Sequence, residues 1–342
     1  MAFQITIQPS GHTCSAEAGT SILRAVLDAG LMLPYGCRNG ACGACKGKLI
    51  SGSVDYGVVE PSALSEQDRA EGMALFCCAI PLSDIVIESR ELQADSDIPV
   101  RTMPARVQKM ARLASDVMAL SLKLPANERL LFLAGQYIEI LLKDGRRRAF
   151  SLANAPHDDE LLQIHVRQVP GGLFTGQVFG TMKERDILRF EGPHGDFYLR
   201  EGSDKPVILL AGGTGFAPIK SIVEHVLHQR MARSMTLYWG ARAPAGLYLP
   251  ELPRHWAAEH ENFRYVPVVE VPDDGWRGRC GLVHQAVLED FPDLSDHQVY
   301  ACGAPAMIDA ARRDFVARGL PEEEFFADAF SFAPDSRGPA GS

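Results

Sequence analysis

Four cysteines carry the first chemical suggestion. Cys37, Cys42 and Cys45 stand as C-x4-C-x2-C, and Cys77 follows after a further 31 residues. This is the plant-type arrangement of 2Fe-2S ligands. Thiolates are soft donors that suit iron, and a short loop aims three of them at one centre only if its backbone turns tightly. Gly36, Gly40 and Gly43 supply that freedom. They also let amides approach the sulfurs, where hydrogen bonds help set the reduction potential. A structural zinc site and unrelated buried thiols are the alternatives, but zinc sets usually show two C-x2-C-like knuckles and only Cys42 and Cys45 form one. By count alone either Cys77 or its neighbour Cys78 could be the fourth ligand. Cys14, Cys78 and Cys280 lack partner spacing and read as small packed side chains.

A second constellation is directed at phosphate. The apolar run Val207 to Ala211 leads into Gly212-Gly213-Thr214-Gly215-Phe216-Ala217-Pro218 and then into a helical stretch. Strand, glycine turn and helix N-terminus together make an anion site, because N–H groups and the helix dipole point at one place. The string is not the G-x-G-x-x-G of dehydrogenases, and a glycine turn by itself is weak evidence. Taken alone, Pro170-Gly171-Gly172 is a turn, Arg146-Arg147-Arg148 is a solvated face leading from a strand into a loop, Cys302 is a packed thiol at a strand end, and Phe330 is a core residue.

The elements that must position these residues change character along the chain. Phe3 to Ile7 alternates as a half-buried strand, and a helix follows from about Thr20, capped by Thr20 or Ser21 and ended by Gly30. Leu49-Ile50 and the strand-like Asp84 to Glu88 complete a small α+β unit. Residues 93–101 lack periodicity and read as a linker. Short strands then recur at Arg106 to Gln108, Val117 to Lys123, Tyr137 to Leu142, Leu161 to Val169 and Asp186 to Glu191, the spacing of an antiparallel barrel. After Lys205 strands alternate with helices: Pro206 to Ala211, a helix at Ile219 to Leu227, Met235 to Trp239, Tyr265 to Val271, the segment Gly281 to Leu288, Gln298 to Ala301 and a helix at Ala306 to Val316. Such alternation predicts a doubly wound parallel sheet. The expected domains are 1–92, 102–202 and 203–332, with a disordered tail at 333–342.

Composition narrows the class. A chain of 342 residues exceeds one core, and a net charge of −9 argues against nucleic acid as a partner. No apolar run approaches the ~20 residues that span a bilayer, and Met1 to Ile5 lacks the start of a secretion signal, so neither a membrane nor a secreted setting is expected. Eight cysteines in a cytoplasmic protein point to metal or redox chemistry rather than disulfides.

Read together, the motifs resemble those of the ferredoxin-NADP reductase superfamily, in one order from residue 3 to about 330. Arg148, Phe150 and Ser151 are similar to its R-x-Y-S flavin segment, with Phe in place of Tyr. His165-Val166-Arg167 and Gly171-Gly172-Leu173-Phe174-Thr175 resemble its second flavin segment, Gly212-Gly213-Thr214-Gly215-x-Ala217-Pro218 its nucleotide turn, and Cys302-Gly303-x-Pro305-x-Met307 its nicotinamide element. The resemblance extends to the ferredoxin-fused reductases of bacterial oxygenases and of dideoxysugar synthesis. It implies a β-grasp ferredoxin domain, an antiparallel β-barrel flavin domain and an α/β nucleotide domain. Many members carry Cys-Gln-Ala where this chain has Cys77-Cys78-Ala79, so the resemblance makes Cys77 the ligand and Cys78 the substitution.

The resemblance also implies roles. Arg148 would bind flavin phosphate, Phe150 would pack on the isoalloxazine and Ser151 would lie near N5. His165, Val166, Gly171, Gly172 and Thr175 would hold the FAD diphosphate, Gly212 to Gly215 and Pro218 the coenzyme, Cys302 and Gly303 the nicotinamide, and Phe330 the flavin ring. Arg242 alone is thin for a 2'-phosphate, so NADH is expected over NADPH. Electrons would run from NAD(P)H through FAD and the 2Fe-2S cluster to a protein acceptor, an oxygenase component or a sugar dehydrase. Residues 1–92 carry six Lys and Arg against ten Asp and Glu, a balance of −4 that suits a basic acceptor. Phe150 in place of Tyr supports the alternative of a non-catalytic electron carrier or redox-sensing module.

Overall fold

Alternating side chains bury Ile5 and Ile7 on one face of β1 (Ala2–Gln8), and the first sheet grows around that strand. It contains β2 (Thr13–Glu17), β3 (Lys46–Ser51), β5 (Met73–Leu75) and β7 (Ile85–Glu88), with β4 (Val54–Asp55) and β6 (Ile80–Pro81) paired separately. The order is β2-β1-β7-β3-β5, and only β1 and β7 run parallel. Helix α1 (Ile22–Asp28) buries Ile22, Leu23 and Val26, and Ser21 Oγ caps it by accepting from the Arg24 N–H. Helix α2 (Glu66–Ala70) is closed by a reciprocal Ser65 and Asp68 capping box. The computed structural model describes residues 2–29, 31, 33–35, 38, 40, 41, 43–89 and 98–330. Gly30, most of the linker expected at 93–101 and the tail expected at 333–342 lie outside the described residues. Two compact units result, Met1–Asp97 and Ile98–Ser342.

The second unit begins with a six-stranded antiparallel barrel. Its strands are β8 (Arg101–Ala114), β9 (Val117–Lys123), β10 (Tyr137–Leu141), β11 (Arg147–Ser151), β12 (Leu162–Arg167) and β13 (Ile187–His194), in the order β11-β10-β13-β8-β9-β12. A bridge between Leu152 and Ile164 brings the two edges together. The arginines do not run from a strand into a loop, as expected; Arg146 precedes β11, and Arg147 and Arg148 open it. Arg147 turns to one face, where Glu139 at 3.0 Å and Glu191 at 2.6 Å neutralise it, while Arg148 and Phe150 share the other. Helix α3 (Leu173–Gly180), which Gly176 and Gly180 hid from the sequence reading, packs Phe174 and Val178 into the barrel core.

A parallel sheet follows, built from β14 (Val207–Gly212), β15 (Met235–Ala241), β16 (Phe263–Val269), β17 (Arg279–Cys280), β18 (Gln298–Gly303) and β19 (Phe325–Ala329). The order is β17-β16-β15-β14-β18-β19, so the order in which strands are added reverses between β14 and β18. Helices α4 (Phe216–His228), α5 (Glu251–Glu259), α6 (Val283–Asp290) and α7 (Pro305–Val316) form the connections. Leu209 and Leu210 are covered on both faces of β14, which stabilises by about 1.5–3 kcal/mol for each such side chain. Val117, Ala134, Phe197 and Leu199 of the barrel join the same core as Trp239 and Phe216, which is why barrel and parallel sheet make one unit.

Candidate active site and cluster centre

In doubly wound sheets ligands bind outside the carboxyl ends of the strands where the order reverses. Here that place is the end of β14 and β18. Gly212 leads into a turn at Gly213–Gly215, and α4 begins at Phe216. Gly213 takes a positive φ of 54°. No side chain caps the first turn of α4, and Pro218 is its third residue, where a missing N–H costs no helical bond. Gly215 answers a different need: a Cβ there would stand 2.0 Å from the Cys302 carbonyl oxygen. Turn and strand end therefore pack backbone against backbone. Cys302 is fully buried, and burial, with Asp328 adding, holds its thiol neutral far above the ordinary range. Phe330 follows β19, and its N–H donates to the Gly303 carbonyl at 2.7 Å.

The two expected flavin segments meet. Phe150 of β11 and Phe174 of α3 pack with ring centroids 5.1 Å apart. Ser151 is buried at the end of the same strand as Phe150, and the Arg148 guanidinium donates to the Arg147 carbonyl at 2.7 Å. Gly172 precedes α3 without a side-chain cap, and a Cβ on it would stand 2.5 Å from Thr175 Oγ1. The Thr175 hydroxyl accepts from the Val169 N–H at 3.2 Å and so locks the turn. This bare backbone suits a phosphate, as the ring face of Phe150 suits a flavin.

His165 and Arg167 lie on one face of β12 and Val166 on the other, inside the barrel core. The hydrogen-bond partners of the His165 ring are Tyr248 and Gln163. Its Nδ1 is 2.9 Å from the Tyr248 hydroxyl and its Nε2 is 3.3 Å from Gln163 Oε1. Burial first, then the Lys220 charge, pushes it down to about 3, so the imidazole is neutral; Nε2 then donates to Gln163 and Nδ1 accepts from Tyr248.

Arg167 is the residue whose place the motif reading missed. Its Nη1 lies 3.3 Å from where a Cβ on Gly213 would stand, so this barrel side chain reaches the nucleotide turn. Its Nε and Nη2 are buried without hydrogen-bond partners among the described residues; Nε sits 3.5 Å from Asp116 Oδ2 without hydrogen-bond alignment. Buried guanidinium donors without acceptors fit an anionic ligand at the turn. The only sequence signal was a basic residue two positions after His165.

In the first unit, β3 and β5 pair with Lys46 opposite Leu75, which draws Cys45 beside Cys77 across 31 intervening residues. The Cys77 N–H donates to Cys45 Sγ at 3.4 Å, the kind of bond that steadies a thiolate ligand. Cys78 Sγ lies 3.6 Å from Cys77 Sγ and 2.8 Å from where a Cβ on Gly40 would stand. Cys37 and Cys42 lie outside the described residues. Cys45 and Cys77, brought together here, are thiol donors of the kind that suits iron. Glu139, Glu191 and His194 offer a separate group of ligand atoms within 4.8 Å of one another, but Arg147 already supplies the countercharge there. Among the described residues no helix is long and apolar enough to cross a membrane.

Comparison with known proteins identifies the domains that hold these residues. Residues 5–82 match the 2Fe-2S iron-sulfur cluster binding domain, 104–198 the oxidoreductase FAD-binding domain and 209–313 the oxidoreductase NAD-binding domain. The CDP-6-deoxy-L-threo-D-glycero-4-hexulose-3-dehydrase reductase of Yersinia pestis is 43% identical over 96% of this chain and 99% of its own length. The reductase component of phenol 2-monooxygenase from Pseudomonas sp. strain CF600 is 38% identical over 99% of this chain and 97% of its own. Among solved structures, the Amycolatopsis cytochrome reductase GcoB is 36% identical with a TM-score of 0.79, covering 96% of this chain and 98% of that one. The chain thus belongs to the ferredoxin-fused reductases of the ferredoxin-NADP reductase superfamily, NAD(P)H oxidoreductases that join a 2Fe-2S domain to FAD-binding and NAD-binding domains.

Proposed function

We propose that this reductase accepts electrons from NADH at the β14 turn and delivers them, by way of barrel-bound FAD and the cluster centre, to a CDP-6-deoxyhexose dehydrase. The approach of Arg167 to Gly213 carries the proposal: one side chain spans the flavin-holding barrel and the nucleotide turn. When bound, FAD supplies the exchange of an electron pair for single electrons, and the cluster supplies a one-electron exit.

The chain's residues bind and orient. Arg148 offers positive charge to a flavin phosphate, the amides at Gly171 and Gly172 leave room for the diphosphate, Phe150 and Phe330 offer ring faces, and Ser151 offers a hydroxyl. The turn Gly212 to Gly215 and Arg167 share the coenzyme's negative charge. Cys302, held neutral, gives the nicotinamide an uncharged neighbour. Cys45 and Cys77, with Cys37 and Cys42, are the cluster ligands. The working domains are 1–92, 102–202 and 203–332, and the setting is the cytoplasm.

NADH is preferred to NADPH because Arg242, which follows β15, is followed by Ala243, Pro244, Ala245 and Gly246, and one arginine is thin for a 2'-phosphate. The dehydrase is placed first because the relative named for it is 43% identical over nearly the whole chain. An oxygenase component is the second reading, supported by the phenol 2-monooxygenase relative. Purified holoprotein should oxidise NADH faster than NADPH and transfer electrons anaerobically to a CDP-6-deoxyhexose dehydrase. Equal use of both coenzymes would defeat the first clause, and transfer only to an oxygenase component would replace the acceptor.

A further inference from the structure

Helix α4 begins at the nucleotide turn, yet its middle is fastened to the barrel. Ser221 is fully buried, and its hydroxyl donates to the Asn154 carbonyl at 2.8 Å. Lys220 Nζ, on a side chain only 12% exposed, donates to the Ala153 carbonyl at 2.9 Å and pairs with Glu224 at 2.7 Å. At the far end of the helix His228 stacks on His157, rings 3.6 Å apart and 8° from parallel. All three contacts fall on the loop that follows β11, two to six residues beyond Ser151.

That loop is itself held. Asn154 Oδ1 accepts from the Gln163 N–H at 2.7 Å, and its Nδ2 donates to the Asp158 carbonyl at 2.7 Å. Asn154 thus ties α4 to β12, the strand that carries His165 and Arg167. A helix is stiff along its axis, so a bond at Ser221, about 9 Å of rise from the turn, fixes where Gly213 to Gly215 stand relative to Ser151.

We propose that Ser221 and Lys220 are positioning residues for hydride transfer: through the Ala153–Asn154 carbonyls they set the distance between the coenzyme turn and the flavin segment. The inference rests on the assignment of flavin to Arg148–Ser151 and coenzyme to Gly212–Gly215. Hydride transfer needs the reacting atoms within a narrow range, and a misplacement near 1 Å can cost about a hundredfold in rate. Neither residue needs to touch a reactant to matter.

The test compares the FAD-loaded full chain with Ser221→Ala, Ser221→Thr and Lys220→Met, following bound flavin, the NADH concentration for half-saturation, the anaerobic rate of flavin bleaching, and amide exchange across residues 153–158. In Ser221→Ala exchange should rise, and bleaching at saturating NADH should slow about tenfold, with flavin content and half-saturation within about twofold. Ser221→Thr, which keeps the hydroxyl, should restore the rate. If Ser221→Ala fails to fold, Lys220→Met must show the same pattern. Unchanged bleaching in these variants, or a fall that tracks flavin loss, overturns the positioning role and leaves the site assignment standing. Full flavin retention by Arg148→Ala overturns the site assignment, and the proposal with it.

Discussion

Replacing Gly215 with Ala tests whether the nucleotide turn depends on backbone contact. Gly215 sits at φ −58° and ψ −12°, a conformation alanine adopts freely, so no dihedral strain enters. The added methyl would stand 2.0 Å from the Cys302 oxygen, 2.5 Å from its carbonyl carbon and 3.0 Å from the Gly303 nitrogen. All three are main-chain atoms, so no flexible side chain can yield. The turn and the end of β18 must part by roughly 1 Å, which costs about 1–3 kcal/mol, towards the upper end because both partners are backbone. The same displacement should slow hydride transfer by about a hundredfold, with flavin content unchanged because the candidate flavin residues lie on other elements. All three tryptophans, Trp239, Trp256 and Trp276, belong to the second unit, so their fluorescence in urea reads its stability without interference from the first. A variant that unfolds and bleaches its flavin as the parent does would refute the close packing.

Three further outcomes are expected. Cys77→Ser should abolish the visible absorption of the cluster and Cys78→Ser should retain it; the reverse would move the fourth ligand by one position. Arg167→Met should raise the NADH concentration for half-saturation by about tenfold, the loss of one charge-assisted contact, with flavin content intact; an unchanged value would detach Arg167 from the coenzyme. Finally, His165 stays neutral in the fold down to about pH 3, against an ordinary value of 6.5. Between those values the unfolded chain binds a proton that the native chain refuses, so stability rises with pH and is lost as pH falls below about 6.5. Tryptophan-monitored urea midpoints at pH 5 and 7.5 should differ by less in His165→Gln than in the parent, and an equal difference would show that other groups carry the pH dependence.

The legible parts of the fold were those where one force dominates. Val207 to Ala211 is apolar throughout because both faces are covered, and its exit on glycine marked the turn at once. Val117 to Lys123 was read with the bounds that the strand has. Elements with mixed signals escaped. The charges of Arg147 and Arg148 masked β11, since the ion pairs that allow Arg147 in a strand lie on β10 and β13. Asp328 broke the apolar run of β19, and the polar face of α5, with a proline before it, hid a helix that buries Trp256. At the site, local strings pointed to candidate flavin and nucleotide segments, and these fall within the matched FAD-binding and NAD-binding domains. The encounter of Arg167 with Gly213 could not be read that way, because it depends on two sheets meeting across 45 intervening residues.

Among the described residues, the strands of the first sheet all lie between residues 2 and 88, and those of the barrel and parallel sheet between 101 and 329. Each ladder of the described residues is internal to one unit. For the gene this is a natural fusion point: an insertion or exchange in the connecting stretch severs one passage of chain and no sheet hydrogen bonds. The electron-exit module can therefore be traded for another without rebuilding an edge in either half. A reductase so divided can acquire a new client protein by recombination, leaving its coenzyme chemistry untouched.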